Sequence, residues 1–264
     1  MMMNNKATQE FAGAVTAVFW NIDTCPVPRG VDARRVGPCM KRYLEKLGYT
    51  GPLTMNVFGT LIDTPAEHLE AVSSTGFLLR IDPYGSKSLT AYMFRWANKQ
   101  NPPPANIMVI TNSRYAAIPL CKLQGEGYNV ITPYPLGPAS RTRAWKRFLR
   151  AESKALDKDY PIETVESSWV CQVCYGLTGR GFDNFTTHIS SQGHADKELD
   201  WITPAVPLKR RKPMTKADEE TDEETTDEET DHKFRPRRLS HSHLKKAMFA
   251  SPSWEPGEKK RQRA

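Results

Sequence analysis

Short apolar runs alternate with stretches of helical period from about residue 15 to about residue 150. The run Ala17-Val18-Phe19-Trp20-Asn21-Ile22 has the length and composition of a buried strand. Residues 31–47 repeat apolar positions at helical spacing, and Gly48 stands where a helix would stop. Further strands are predicted at 53–58, 77–81, 107–110 and 128–132. Helices are predicted between them at 66–72, 89–98 and 115–123, with a last one at 141–149. Thr64-Pro65 suits a helix start, and Pro102, Pro103 and Pro104 end any continuation of the helix before them. Strands alternating with helices imply an α/β class, with a parallel sheet covered on both faces. In such sheets ligands sit at the carboxyl ends of the strands.

Beyond residue 157 the pattern changes. Residues 169–200 form a short segment of their own, and after Trp201 apolar periodicity is lost. A basic cluster, Lys209, Arg210, Arg211 and Lys212, precedes an acidic run that repeats Asp-Glu-Glu-Thr at 222–225 and 227–230. Like charges at that density stay solvated and cannot bury a core. The expected organisation is a flexible leader at 1–13, an α/β domain at 14–150, a linker at 151–168, the short segment at 169–200 and a disordered charged tail at 201–264. The tail accounts for an apolar share of only 39% in 264 residues. The net charge of +7 favours a polyanionic partner such as RNA, DNA or an anionic surface. No apolar run approaches the ~20 residues of a membrane span, so no membrane insertion is expected. Of five cysteines, Cys25, Cys39 and Cys121 are scattered, and no apolar core opens the chain as a signal peptide would. They read as reduced, buried thiols in the nucleus or cytoplasm. The cluster at 209–212, followed by Pro213, suits a nuclear localisation signal.

The short segment carries Cys171-x2-Cys174-x13-His188-x5-His194. A Cys-x2-Cys turn presents two thiolates to one point, and two histidines complete a tetrahedron for structural Zn²⁺. Phe185 lies three residues before His188, on the same helix face, where it can pack beneath the metal. A ββα-type finger is predicted, its helix kinked near Gly193 to bring both histidines to the ion. The segment resembles the matrin and double-stranded-RNA-binding variety of C2H2 zinc finger, which has wide histidine spacing. That resemblance implies RNA; a finger that binds protein or is purely structural fits the residues as well.

The stretch Val18-Phe19-Trp20-Asn21-Ile22-Asp23-Thr24-Cys25-Pro26-Val27-Pro28 resembles the opening of limkain-type NYN domains, V-F-W-D-I-E-N-C-P-V-P. Leu44 to Tyr49, Gly51 to Thr54, Ser73 to Gly76, Pro83-Tyr84-Gly85 and Pro102 to Met108 are similar to later segments of that family. The resemblance implies a PIN-like, Rossmann-like nuclease fold and Mg²⁺- or Mn²⁺-dependent cleavage of RNA. It also implies aspartates that this chain lacks. Asn21 stands at the first family aspartate and Tyr92 at the helix aspartate. Ser113 and Tyr115 stand at the two aspartates of a family I-S-G-D-R-D-F stretch. Asparagine and serine are neutral ligands and tyrosine is neutral at pH 7, so the charge that concentrates Mg²⁺ is largely absent. Asp23 and Asp82 are residual carboxylates; Asp23 reads as a loop cap or as the centre of a rebuilt site.

The last predicted helix carries Arg141, Arg143, Lys146, Arg147 and Arg150 around Trp145 and Phe148. It reads as an amphipathic helix closing the core, and its cations are candidate nucleic-acid contacts. The expectation is a pseudonuclease: RNA-directed, concerned with regulation of gene expression, with a degenerate nuclease site. An active metal-dependent endoribonuclease and a protein-interaction adaptor are the alternatives. Limkain-type relatives also imply peroxisomes, although Arg263-Ala264 lacks the S-K-L address.

Overall fold

The computed structural model describes residues 6–84, 86–113, 116–134, 141–156 and 160–202. These lie within the first of two compact units, Met1–Pro204. Tyr115 and almost all of the tail expected at 201–264 fall outside the described residues. The elements are α1 (Gln9–Ala12), β1 (Thr16–Asn21), α2 (Val36–Lys46), β2 (Leu53–Gly59), α3 (Ala66–Ser73), β3 (Phe77–Ile81), α4 (Ser86–Gln100) and β4 (Asn106–Ile110). They continue with α5 (Ala117–Gly125), β5 (Asn129–Ile131), α6 (Arg141–Ala155), β6 (Ser168–Cys171), β7 (Leu177–Arg180), α7 (Phe182–Ile189) and α8 (Gln192–Ile202). No described helix is long and apolar enough to cross a membrane.

The sheet runs β5-β4-β1-β2-β3-β6-β7. Neighbours are parallel except for the antiparallel β6–β7 hairpin. At its centre β1 is buried at every position, as the unbroken apolar run requires. Alternation along β1 sends Val18 and Trp20 into one core and Ala17 and Phe19 into the other. On the first face Trp20 packs against Phe77 and against Trp145 of α6, at 5.4 and 5.6 Å. The second core is closed by Leu89, Met93 and Ala97 of α4 with Leu120 and Leu123 of α5.

The helix expected at 31–47 starts later. Asp32 caps a 3-10 turn, Ala33–Arg35, by accepting from the Arg34 N–H at 2.9 Å, and α2 follows. Gly48, at φ +90°, ends α2 as expected. The part of the leader that is described is tied down: the Ala7 N–H donates to the Leu47 carbonyl at 2.7 Å and the Thr50 N–H to Ala12 at 2.8 Å. A domain boundary at 150 would cut α6, which continues to Ala155; Glu152 pairs with Lys46 at 3.0 Å, and Arg35 donates to the Leu156 carbonyl at 2.6 Å. Cys25 and Cys39 are buried, but Cys121 is exposed on α5, contrary to its reading as a buried thiol.

The largest departure concerns the linker. The segment at 151–168 does not separate two modules. Val165 donates its N–H to the Ser74 carbonyl at 2.7 Å, and the buried hydroxyls of Ser73 and Ser167 share a 2.7 Å hydrogen bond. Then β6 runs parallel to β3, with Leu78 opposite Ser168 and Ile81 opposite Cys171. The Gln172 N–H extends the ladder to the Ile81 carbonyl at 2.8 Å. Trp169, Cys171, Val173 and Phe185 join the same core cluster as Val57, Leu79 and Ile81. Sequence periodicity cannot show this, because the pattern within a strand does not say which strand it pairs with.

A chain ended after Leu156 would leave β3 as an open edge and uncover Leu79 and Ile81. Such a chain is expected to lose at least ~3 kcal/mol of stability, comparable to removing a large core side chain, and to self-associate. Urea unfolding and size-exclusion chromatography check this; an unchanged midpoint with monomeric elution would show the C-terminal segment to be dispensable.

Candidate functional site

The Cys/His quartet is assembled by three short elements. Cys171 ends β6 and the turn after it carries Cys174, whose N–H donates to the Cys171 Sγ at 3.4 Å. His188 lies in the last turn of α7, while His194 lies on α8. The kink expected near Gly193 is a full break at Ser190-Ser191, before α8 begins. The Ser191 hydroxyl caps that break, accepting from the His194 N–H at 3.2 Å and donating to the His188 carbonyl at 2.7 Å. Two helices thus accommodate the wide histidine spacing without a bent one.

One ligand atom from each of Cys171, Cys174, His188 and His194 lies within 4.8 Å of every other. The Nδ1 of His194 is 3.5 Å from both sulfurs. A zinc tetrahedron with arms of ~2.0–2.3 Å needs ligand separations of roughly 3.3–3.8 Å, so the quartet fits such an ion after a small contraction. The Nε2 of His188 is buried and has no hydrogen-bond partner, as a nitrogen reserved for a metal would be. Burial, with Cys174 beside it, pushes the Cys171 thiol up to about 12. Burial and then the neighbouring His188 lower His194 to about 4, and burial lowers His188 too. The imidazoles therefore stay neutral, the ligand form, while a divalent ion would supply the charge that buried thiolates require. These four residues could hold a metal such as zinc.

The indole of Trp169 supports the quartet, stacked on the His188 ring at 4.8 Å and set edge-on to Phe185 at 6.3 Å. Phe185 is fully buried, as its spacing predicts. Gly179 on β7 makes room for that indole: a Cβ there would sit 2.2 Å from the Trp169 ring. On the far side, the Trp201 Nε1 donates to the Val173 carbonyl at 3.0 Å, and its ring meets Tyr84, just beyond β3, at 5.5 Å.

A second candidate site is the carboxyl edge of the sheet. Asn21 ends β1, fully buried, and its Oδ1 accepts from the Thr24 N–H and hydroxyl, both at 2.8 Å. Its Nδ2 is buried without a partner. From β4 the network continues: the Asn112 N–H donates to the Thr24 hydroxyl at 3.2 Å, and the Ser113 N–H to the Thr111 hydroxyl at 3.1 Å. Asn21 and Ser113 are thus brought to one place through Thr24 and Thr111. Tyr92 is not part of that network; its ring packs on Phe58 at 5.1 Å and under the Arg80 guanidinium at 4.9 Å. Tyr115 lies outside the described residues.

Asp23 is exposed, and its Oδ2 accepts from the Thr60 N–H at 2.8 Å. Its other oxygen rests against Gly59, where a Cβ would come within 2.2 Å, so only glycine allows this approach. Although the residue keeps an exposed side, the protein packed around its carboxyl desolvates and raises it, bonds from Thr60 and Leu61 oppose the rise, and the charge of Asp63 adds to it. Asp63 is a neighbour that sequence reading did not single out, since it sits in a loop without motif context. Asp82 is buried after β3 and accepts from the Tyr84 N–H at 2.9 Å and from the Ser88 hydroxyl. Among the described residues, Cys171, Cys174, His188 and His194 are the one group of three or more potential ligand side chains close enough to share an ion.

On α6, Trp145 and Leu149 are fully buried, and the Trp145 Nε1 donates to the Pro26 carbonyl at 2.9 Å. Arg143, Lys146, Arg147 and Arg150 remain exposed, and Arg150 also donates to the Arg29 carbonyl at 3.2 Å. The Arg141 side chain is outside the described residues.

The lowered histidine values give a pH dependence. In metal-free protein the unfolded state binds protons that the folded quartet refuses, so stability is complete above about pH 6.5 and falls as pH drops from there toward about 4. Urea midpoints in chelator, followed by tryptophan fluorescence, should fall between pH 7 and pH 5, and an equivalent of Zn²⁺ at pH 7 should raise them. Equal midpoints at the two pH values, unmoved by zinc, would contradict the site.

A search of curated proteins finds no match to the chain. Comparison with family models matches residues 15–152, from the residue before β1 into α6, to the NYN domain. That span covers more than half of the sequence and contains the five parallel strands β1 to β5 together with the carboxyl edge. On this evidence the chain belongs to the NYN domain family, whose fold is nuclease-like and associated with nucleic acid.

Proposed function

We propose that this protein is a non-catalytic, RNA-directed member of its family with zinc in the finger. The reading rests most heavily on Asn21. Its one ligand oxygen is engaged by Thr24, and its other terminal atom is a buried amide donor without a partner. An N–H donor repels a cation where a nuclease needs hard oxygen ligands for Mg²⁺ or Mn²⁺. The remaining carboxylates have structural employment: Asp23 binds the Thr60 backbone, and Asp82 binds Tyr84 and Ser88. Exposed cations on α6 give a phosphate backbone something to hold. The basic cluster at 209–212 would carry the protein to the nucleus, where an RNA-directed, non-cleaving protein would act on gene expression.

An active endoribonuclease is the rival reading, and one observation favours it: the charge of Asp63 reaches the Asp23 carboxyl. Two carboxylates with the backbone carbonyls of the edge would supply oxygen ligands to a hard cation.

The experiment is binding and cleavage on the same single-stranded RNA. Binding should weaken steeply between 50 and 200 mM salt, about as expected for several phosphate contacts. The RNA should stay intact in Mg²⁺ and in Mn²⁺, and Asp23→Ala should bind it as the wild type does. Metal-dependent cleavage by the wild type that is absent from Asp23→Ala and Asp63→Ala would overturn the non-catalytic reading. Absence of salt-dependent binding would overturn the RNA reading and favour a protein-binding adaptor.

A further inference from the structure

A strand cation lies in an unusual setting on the second face of the sheet. Arg80 is the fourth residue of β3, in an otherwise apolar strand, Phe77–Ile81. It lies level with Phe58 of β2 and with Val170 of β6. Its Nε donates to the Oδ1 of Asn56 at 2.9 Å, and Asn56 is itself buried. That bond spends one of its five N–H donors and fixes the plane of the fork. Among the described residues the ion pairs are Lys46–Glu152 and Lys122–Glu126, so no described carboxylate pairs with Arg80. Burial depresses its pKa, the neighbouring Tyr92 hydroxyl opposes the fall, and the charge of Arg95 adds to it. A half-buried guanidinium without an anion costs free energy, and the arrangement is explained if an anion arrives.

Space for one exists. A cavity of about 220 Å³ opens beside Arg80, lined also by Asn56, Tyr92, Arg95, Trp96 and Gln172. The two guanidinium groups flank the Tyr92 ring, Arg80 at 4.9 Å and Arg95 at 5.4 Å. The Tyr92 hydroxyl is buried close to the Arg80 guanidinium, from which its oxygen can only accept, so its own O–H proton is unspent. Two forks and an unspent phenol are a donor set suited to the several oxygens of a phosphate. The indole of Trp96 offers a surface for a base, and the amide of Gln172 can read a base edge. The volume is below the ~300–1,000 Å³ of a drug-sized pocket, so the groove can enclose a phosphate with part of its nucleotide, the rest lying at the open mouth, and not a duplex.

We propose that this groove, between α4 and the strands β2, β3 and β6, binds one phosphate-bearing nucleotide, with Arg80 and Arg95 on the phosphate and Trp96 against the base. It lies on the sheet face, apart from the Asn21 network at the carboxyl edge. Gln172, between the two thiols of the quartet, is part of its wall, so the groove is complete only when β6 is docked. The phosphate can come from an RNA strand or from a free nucleotide. Only the first source rests on the RNA reading above, and the test separates them.

The probes are 5′-AMP, adenosine, inorganic phosphate and a short single-stranded RNA, titrated against the full chain, Arg95→Gln and Arg80→Gln. Near-ultraviolet circular dichroism reports folding. The wild type should bind 5′-AMP more tightly than adenosine or phosphate alone. Losing one guanidinium should weaken 5′-AMP or RNA about tenfold or more, the usual effect of a charged hydrogen bond. Arg95 is exposed, so Arg95→Gln decides the matter even if Arg80→Gln fails to fold. RNA binding that weakens in Arg95→Gln, with 5′-AMP silent, supports the site and assigns it to a strand. Binding of 5′-AMP that weakens in Arg95→Gln, with RNA silent, supports the site and sinks the RNA reading. Equal binding by wild type and Arg95→Gln, or no binding of either ligand, overturns the proposal.

Discussion

The parallel pairing of β6 with β3 is the constraint on which the rest of the molecule depends. Without it β3 would be a sheet edge with its backbone groups unpaired and Leu79 and Ile81 uncovered. The Cys/His segment faces the reverse difficulty: a hairpin and two short helices of about thirty residues bury too little surface to fold on their own. Pairing answers both. The ladder from Leu78 to Ile81 supplies the hairpin with a rigid template, and the hairpin supplies Trp169 and Phe185 to the same core that Trp20 and Trp145 anchor. The metal quartet is therefore built on the sheet, with Cys171 as the last residue of a sheet strand.

Much of this was legible in the sequence. The strands of the α/β domain and the ligand quartet follow from apolar period, from Gly and Pro punctuation and from Cys/His spacing, because those signals are local. What failed was non-local. Residues 151–168 read as a linker because Ser167 and Val165 carry no periodic pattern, yet Ser167 bonds to Ser73 and Val165 to Ser74. The kink assigned to Gly193 occurs at Ser190-Ser191, where a serine side chain can cap a broken helix and a glycine cannot. Arg80 carried a signal that went unread: a cation inside an apolar strand needs a partner, and its neighbours Asn56 and Tyr92 are far from it in sequence.

The same geometry shapes the functional account. At the carboxyl edge, where this fold places its chemistry, Asn21 and Ser113 belong to a neutral network of amides and hydroxyls. Cationic surface is available instead on α6 and in the groove around Arg80. On the function proposed here, the balance has moved from holding cations toward holding anions. Such a shift would suit a protein that keeps hold of nucleic acid without cutting it, with Tyr92 set beside Arg80.

Native-state hydrogen exchange tests the shared sheet most directly. The amides of Leu79 to Ile81 and of Ser168 to Cys171 should have similar protection, and loading the quartet with Zn²⁺ should slow, and a chelator speed, both sets together while the amides of Ile107 to Val109 in β4 stay slow. If the chelator frees Ser168 to Cys171 and leaves Leu79 to Ile81 as protected as before, the Cys/His segment is an independent module and the account is wrong.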